Sequence, residues 1–367
     1  MNLPPFKLER YFAKYEFNTE YLLCSSDCEA MSIADLLALE EGAAKIFQQV
    51  WLGYTESQGI PPLRTEIAKV YETIQPDEIL VHAGAEEAIF LFMQATLKPS
   101  DHVIVHSPCY QSLTEVAKGI GCDVSPWLAR EENNWALDYH ELRKLLRSNT
   151  KALIVNTPHN PTGYLMSRED YDVLHRFAQE YNLLLFFDEV YRESEYDPSL
   201  RLPAACDMGE HAISLGVTSK TYGLAGLRIG WIATKNKRIY QSMASLKDYT
   251  TICNSAPSEF LAEVAMRNRQ KLIDRNLGII KSNLEVMEEF FVRHADLFSW
   301  VRPQAGSMGF PKLLQGGIEE FCDMVVRNAG VLLLPGTMYD DTGNHFRVGL
   351  GRKNLSQAVE RLEDYLS

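Results

Sequence analysis

Residues 183–234 read LLLFFDEVYRESEYDPSLRLPAACDMGEHAISLGVTSKTYGLAGLRIGWIAT, and they decide the fold. Three runs of strand length, 183–188, 212–217 and 230–234, are apolar nearly throughout. A strand that faces solvent on one side alternates polar with apolar; a continuous apolar run predicts a strand covered by helices on both faces. Each of the first two runs stops at a polar residue, Asp188 or Thr218. Working upstream, further candidate strands lie at 79–82, 103–106, 123–127 and 152–156, several of them apolar nearly throughout. Segments with helical periodicity stand between or beside them at 63–72, 86–97, 111–119, 139–147 and 168–181. Alternation of this kind predicts a mainly parallel, seven-stranded sheet in an α/β layer architecture. After residue 255 the pattern changes to long helical stretches with short strands expected at 300–303, 306–311, 331–334 and 345–349. The expected organisation is a large domain over 36–255 and a smaller α/β domain over 256–367. Residues 1–35 lack the alternation and are expected to pack across both, contributing to the small domain.

The chain has 367 residues, enough for one large and one smaller core. Its net charge of −13 repels phosphate backbones and argues against a nucleic-acid partner. No apolar run reaches membrane-spanning length, and the first residues, MNLPPFKLERYF, lack the pattern of a signal peptide. Seven scattered cysteines suggest reduced thiols in a cytoplasm. Cys24 and Cys28 have no second Cys or His pair to complete a metal site, so no metal is expected.

Ligands of α/β sheets bind beyond the carboxyl ends of the strands. Four strand ends carry unusual polar residues: Ser107 to Tyr110, Asn156 to Gly163, Asp188 with Tyr191, and Ser219 with Lys220. Lys220 follows a strand directly, in a Ser/Thr/Gly-rich loop, where burial would lower its pKa and free its amine to attack a carbonyl. Alone, a loop lysine is usually just solvated. Here Arg228 follows eight residues later, with a planar fork suited to a phosphate dianion. Asp188 closes an apolar run, where a carboxylate is costly without a cationic partner. A protonated pyridine nitrogen is such a partner; a loop ion pair is the plainer alternative. Tyr191 and Asn160 stand where they can hydrogen-bond a ring oxygen, although Asn-Pro and Thr-Gly are also ordinary turn formers. Gly84-Ala85-Glu86 join a strand to a helix, and free N–H groups at a helix start bind phosphate. Tyr110 can stack on a flat ring, though a lone aromatic is more often core. Arg347 lies within an apolar strand and needs an anion, for which a substrate carboxylate would serve.

The ordered series Tyr54-x4-Gly59, Leu63-Arg64, Asn160-Pro161-Thr162-Gly163, Asp188-x2-Tyr191, Ser219-Lys220-x7-Arg228 and Arg347 resembles the class I/II aminotransferases, pyridoxal-phosphate enzymes of fold type I. The resemblance spans nearly the whole chain. It implies that Lys220 forms the Schiff base with pyridoxal 5'-phosphate and moves the substrate proton. Asp188 would pair with the pyridine nitrogen, Asn160 and Tyr191 would hold the ring oxygen, and Asn156 would join this cofactor-binding group. Tyr110 would stack on the ring. Gly84, Ala85, Glu86, Thr218 or Ser219, and Arg228 would hold the phosphate. Tyr54 would reach the neighbouring subunit's phosphate, which implies a homodimer with shared sites. Arg347 would clamp the substrate α-carboxylate. The family usually has Ser or Thr where this chain has Val217, so either Thr218 or Ser219 must take that contact. The implied function is transfer of an amino group from an α-amino acid to a 2-oxo acid.

Short stretches outside this series, including Glu9-Arg10-Tyr11-Phe12, the Ser25-Ser26 loop and Lys247 to Thr251, are similar to the capreomycidine synthases. Those are pyridoxal-phosphate proteins of the same fold that cyclise a hydroxylated arginine. That likeness implies an alternative, a cyclase or lyase acting on an arginine-type substrate. Ser26, Asp27 and Glu29 would then approach the substrate, the carboxylates receiving a guanidinium or ammonium group; a solvated loop is the plainer reading. No second arginine stands in a motif position for a side-chain carboxylate, with Arg10 and Arg64 as the remaining candidates. A cofactor-binding sensor fused to a DNA-binding module finds no room before residue 50. A nicotinamide dehydrogenase is disfavoured because the turn at Gly84 lacks G-x-G-x-x-G.

Overall fold

The computed structural model describes residues 2–367. Seven strands form one sheet: β1 (Ile79–His82), β2 (His102–Ser107), β3 (Asp123–Leu128), β4 (Thr150–Asn156), β5 (Leu184–Asp188), β6 (Ala212–Val217) and β7 (Gly230–Ala233). Their order across the sheet is β1-β7-β6-β5-β4-β2-β3. Neighbours run parallel from β6 to β3, while β7 is antiparallel to both β6 and β1. The central strands β2 and β6 are buried along their whole length, as their continuous apolar runs require. At the edge, β3 alternates exposed and buried residues and accommodates Pro126, which has no N–H to give to a further strand.

Because β2, β4, β5 and β6 are parallel neighbours, their carboxyl ends lie on one edge. That edge receives Ser107, Asn156, Asp188 and Val217 as the terminal residues. The helix Ala85–Thr96 packs on this sheet with five buried apolar residues, Ala88, Ile89, Leu91, Phe92 and Met93. Its N-terminus, after Gly84, arrives at the same edge.

The C-terminal part departs from expectation in its strands. No strand forms at 300–303; the pair is Phe298–Ser299 with Lys312–Leu313. Pro303 cannot donate to a ladder, and its ring packs instead against Gly163 and Gly309. Of 306–311 only Met308–Gly309 pairs, with Phe346–Gly349, and of 331–334 only Leu334 belongs to a strand. Val331 instead bridges to Tyr21 in the N-terminal segment. That segment is partly helical, Lys7–Tyr15. Its start touches the sheet side, where Phe6 packs on Tyr110 at 5.0 Å and the Lys7 N–H donates to Gln111. Its far face touches the C-terminal part, where the Tyr11 hydroxyl donates to the Leu333 carbonyl at 2.8 Å.

Candidate active site

A pocket of 420 Å³ opens at the shared strand edge. Among its walls are Ser26, Asp27, Ala85, Glu86, Tyr110, Asn160, Asp188, Tyr191, Ser219, Lys220, Arg228 and Arg347. Residues separated by more than 300 positions thus meet in one recess.

Lys220 projects from the loop after β6 and donates to the Ser26 hydroxyl at 2.9 Å. Desolvation pulls its pKa below the usual lysine range, with Arg347 adding to the effect and the Asp27 and Asp188 carboxylates opposing it. Asp188 is 5% exposed and accepts one hydrogen bond, from the Val190 N–H at 3.2 Å. Burial pushes its carboxyl up to about 7. Behind it, the Asn156 side chain donates to the Asp188 carbonyl at 2.9 Å and accepts from the Asn160 N–H at 2.7 Å. Asn156 therefore does not line the pocket; it ties the β4 and β5 ends together and sets Asn160 in place. The Asn160 side-chain oxygen accepts from Tyr339 at 3.1 Å and from Arg347 at 3.3 Å. That leaves its NH₂ as the free donor. Arg347 is 2% exposed and also donates to the Cys24 carbonyl at 2.9 Å and to Tyr339. Its second terminal nitrogen, Nη2, remains for an incoming anion.

Of Thr218 and Ser219, only Ser219 lines the pocket. Alternation of the extended chain carries past the end of β6: Val217 and Ser219 line the pocket. Thr218 turns the other way, its hydroxyl donating to the Ile229 carbonyl at 3.0 Å. Gly84 has φ +87°, and a Cβ there would stand 2.7 Å from Arg228 Nη2. The missing side chain is what lets the guanidinium approach the helix start. Arg228 itself has φ +53°, a left-handed conformation that costs a residue with Cβ about 1 kcal/mol.

Tyr54 lies outside this recess and is 83% exposed. Glu29 is also outside it, and accepts from the Lys353 N–H. Asp27 faces the pocket but is held by Arg352 Nη2 at 3.0 and 3.1 Å. Arg64 is bound to the Gly59 and Pro76 carbonyls, and neither it nor Arg10 reaches the pocket. Phe12, a candidate with Tyr11 and Tyr15 for meeting the substrate side chain, lines the recess, and so do Glu9 and Glu16, which sequence reasoning missed. The i, i+3, i+7 spacing of the three marks one helix face and was the available signal. It missed Tyr339 too, which sits in a turn with no periodicity to mark it.

A larger recess of 520 Å³ lies beyond Tyr339, against β3. Its charged groups answer one another, as in Lys312 with Glu131 and His345 with Asp341 and Glu131. It presents no comparable set of reactive groups.

The first recess suits a flat cationic heterocycle bearing a phosphate. The Tyr191 hydroxyl is buried without a hydrogen-bond partner. Asp188 is a buried carboxylate without a cation in contact, and the Gly84 cradle sits beside Arg228. The chain matches the family model "Aminotransferase class I and II" over residues 22–362. It belongs to that family. A PLP-dependent aminotransferase from Streptococcus suis has a structure similar to this one, with TM-score 0.94 and 30% identity over 100% of this chain and 98% of that one. A PLP-dependent cyclase, OrfR, is similar at TM-score 0.92 and 28% identity, with coverage of 100% and 98%. Capreomycidine synthase of Streptomyces vinaceus is 26% identical over 99% of this chain and 94% of its own length. The chain is therefore an enzyme of this family, with a fold type I architecture.

Proposed function

We propose that this enzyme holds pyridoxal phosphate through Lys220 and transfers the amino group of an α-amino acid to a 2-oxo acid. The observation that carries the reading is the meeting of a desolvated lysine amine, a buried unpaired carboxylate and a buried arginine in one pocket. When bound, the group supplies an aldehyde and an electron-withdrawing ring. Asp188 keeps a proton on the ring nitrogen. Tyr191 and the Asn160 NH₂ hold the ring oxygen, and Tyr110 covers one ring face. The helix start at Ala85-Glu86, Ser219 and Arg228 hold the phosphate. Arg347 would hold the substrate carboxylate in the pocket that the Lys220 amine also lines. With a lowered pKa that amine takes the α-proton and returns it.

The side-chain end of the pocket is acidic. Glu9, Glu16 and Asp27 line it, and its only cations are Lys220, Arg228 and Arg347. Burial and the neighbouring Asp27 and Glu9 carboxylates push the Glu16 carboxyl up. This favours a basic or neutral polar substrate side chain over aspartate or glutamate, whose unpaired carboxylate would be desolvated at a cost of several kcal/mol. The same end, with the likeness to two cyclases, supports a second reading: cyclisation or elimination on an arginine-type substrate. Incubation with one amino acid and no acceptor separates the two. Aminotransfer releases one 2-oxo acid per site and stops. Conversion that continues over many turnovers with no acceptor present establishes the second reading instead.

A further inference from the structure

One group in the proposed phosphate cradle has the wrong charge for its place. Glu86 is the second residue of the helix Ala85–Thr96, and its side chain lines the same pocket as Ala85, Ser219 and Arg228. The Ser112 hydroxyl donates to Glu86 Oε2 at 3.0 Å, and Tyr110 lines the same pocket. The only other cations of the recess are assigned elsewhere: Arg347 to the substrate carboxylate and Lys220 to the aldehyde. Arg228 alone stands against a phosphate dianion and Glu86 together. The groups facing Glu86 are Glu9 from the N-terminal helix, Arg228 from the loop before β7, Tyr110 from the loop after β2, and Asp188 from the end of β5. Two of these are further carboxylates, so the surroundings do not favour a charged Glu86.

We propose that Glu86 is a proton-holding residue of the cofactor site, which takes up a proton when the phosphate binds and donates it in a hydrogen bond to a phosphate oxygen. The inference rests on the cofactor reading above. Atoms balance simply: one solvent proton binds the carboxylate, the phosphate keeps its dianionic charge, and release of the cofactor returns the proton. The direction agrees with the carboxyl in the pocket, which desolvation and Glu9 push up to about 7, against Ser112 and Arg228. The phosphate then raises it further. The consequence is a cofactor affinity that weakens as pH rises above 7 and a cofactor exchange that acidity slows.

The test uses pyridoxine 5'-phosphate, which has the ring and phosphate but no aldehyde, so that Schiff-base formation adds no proton. Titration calorimetry at pH 8 in buffers of different ionisation enthalpy counts the protons taken up. The parent enzyme is expected to take up close to one more proton than Glu86→Gln. Between pH 7 and 9 the parent's affinity falls by up to roughly tenfold per pH unit relative to that of Glu86→Gln. Equal proton counts and parallel pH profiles in the two proteins overturn the role of Glu86. A parent enzyme that does not bind the probe at any pH overturns the cofactor reading itself, and the inference with it.

Discussion

Asp188 is the residue at which folding and chemistry pull apart. A carboxyl at the end of the apolar strand β5 is desolvated, and among the described residues no cation forms an ion pair with it. Its pKa in the folded chain, about 7, lies above the ordinary carboxylate value of 3.8. The folded state therefore favours the protonated form. The sign follows: stability from this group is complete below about pH 4 and is lost as pH rises through 7. Replacing Asp188 by Asn, which carries no charge, is expected to stabilise the cofactor-free protein at pH 8 by on the order of 3 kcal/mol, and by almost nothing at pH 4. Denaturant unfolding of the two proteins at both pH values measures this, and a pH-independent difference would falsify the desolvation account. With cofactor the same change is costly. Asp188→Asn is expected to lose a factor of roughly 100 or more in kcat, about 2.7 kcal/mol of transition-state stabilisation. Lys220→Ala is expected to keep some cofactor through the phosphate but lose the borohydride-reducible link; a surviving covalent adduct after reduction assigns the link to another amine.

At the scale of elements, the phosphate cradle depends on how closely β7 passes the start of the helix Ala85–Thr96. A Cβ on Gly230 would stand 2.6 Å from the Gly84 carbonyl carbon and 2.8 Å from the Ala85 nitrogen. Those are backbone atoms, which cannot swing aside as a side chain can. Gly230→Ala is expected to destabilise the protein by about 2–3 kcal/mol and to weaken phosphate binding, because the helix start must move. Thermal unfolding with and without pyridoxine 5'-phosphate reads both, and an unchanged ligand-induced shift in Tm separates the cradle from the packing. The same scale explains what the sequence made legible. The strands β1 and β6 form with the expected bounds because apolar runs closed by turn residues state both period and ends. The two-residue strands of the C-terminal part carry no periodicity, so Pro303 and Val331 were misplaced. Ser219 and Thr218 are chemically alike, and only the alternation carried past β6 distinguishes them. Glu9, Phe12 and Glu16 could be read as one helix face, but nothing local reveals that this face meets a lysine two hundred residues away.

For the whole molecule, the described chain leaves an apolar surface beside the site. Trp51, Leu52 and Tyr54 are 80%, 81% and 83% exposed, and Tyr249 is 89% exposed. The two segments are neighbours, since Lys247 donates to the Ser57 carbonyl at 2.7 Å and Ser57 to Asp248 at 3.1 Å. Exposed aromatic and aliphatic side chains in such density indicate a surface that is covered in the working protein. We propose that a second copy across a two-fold axis covers it with the same patch, so that Tyr54 reaches the partner's phosphate rather than its own. Two defective proteins test this arrangement. Tyr54→Ala damages the site of the other subunit, and Lys220→Ala damages its own. In a mixed dimer both lesions fall on one site, and the second site is intact. Mixing the two inactive variants in equal amounts, with subunits exchanged under mild denaturant, is therefore expected to restore about a quarter of the parent activity: half the dimers are mixed, and each has one working site. If Tyr54 served its own subunit, every site in the mixture would carry one lesion and no activity would return. Light scattering on the parent enzyme at assay concentration completes the test, because an active monomer leaves no partner for Tyr54 to serve.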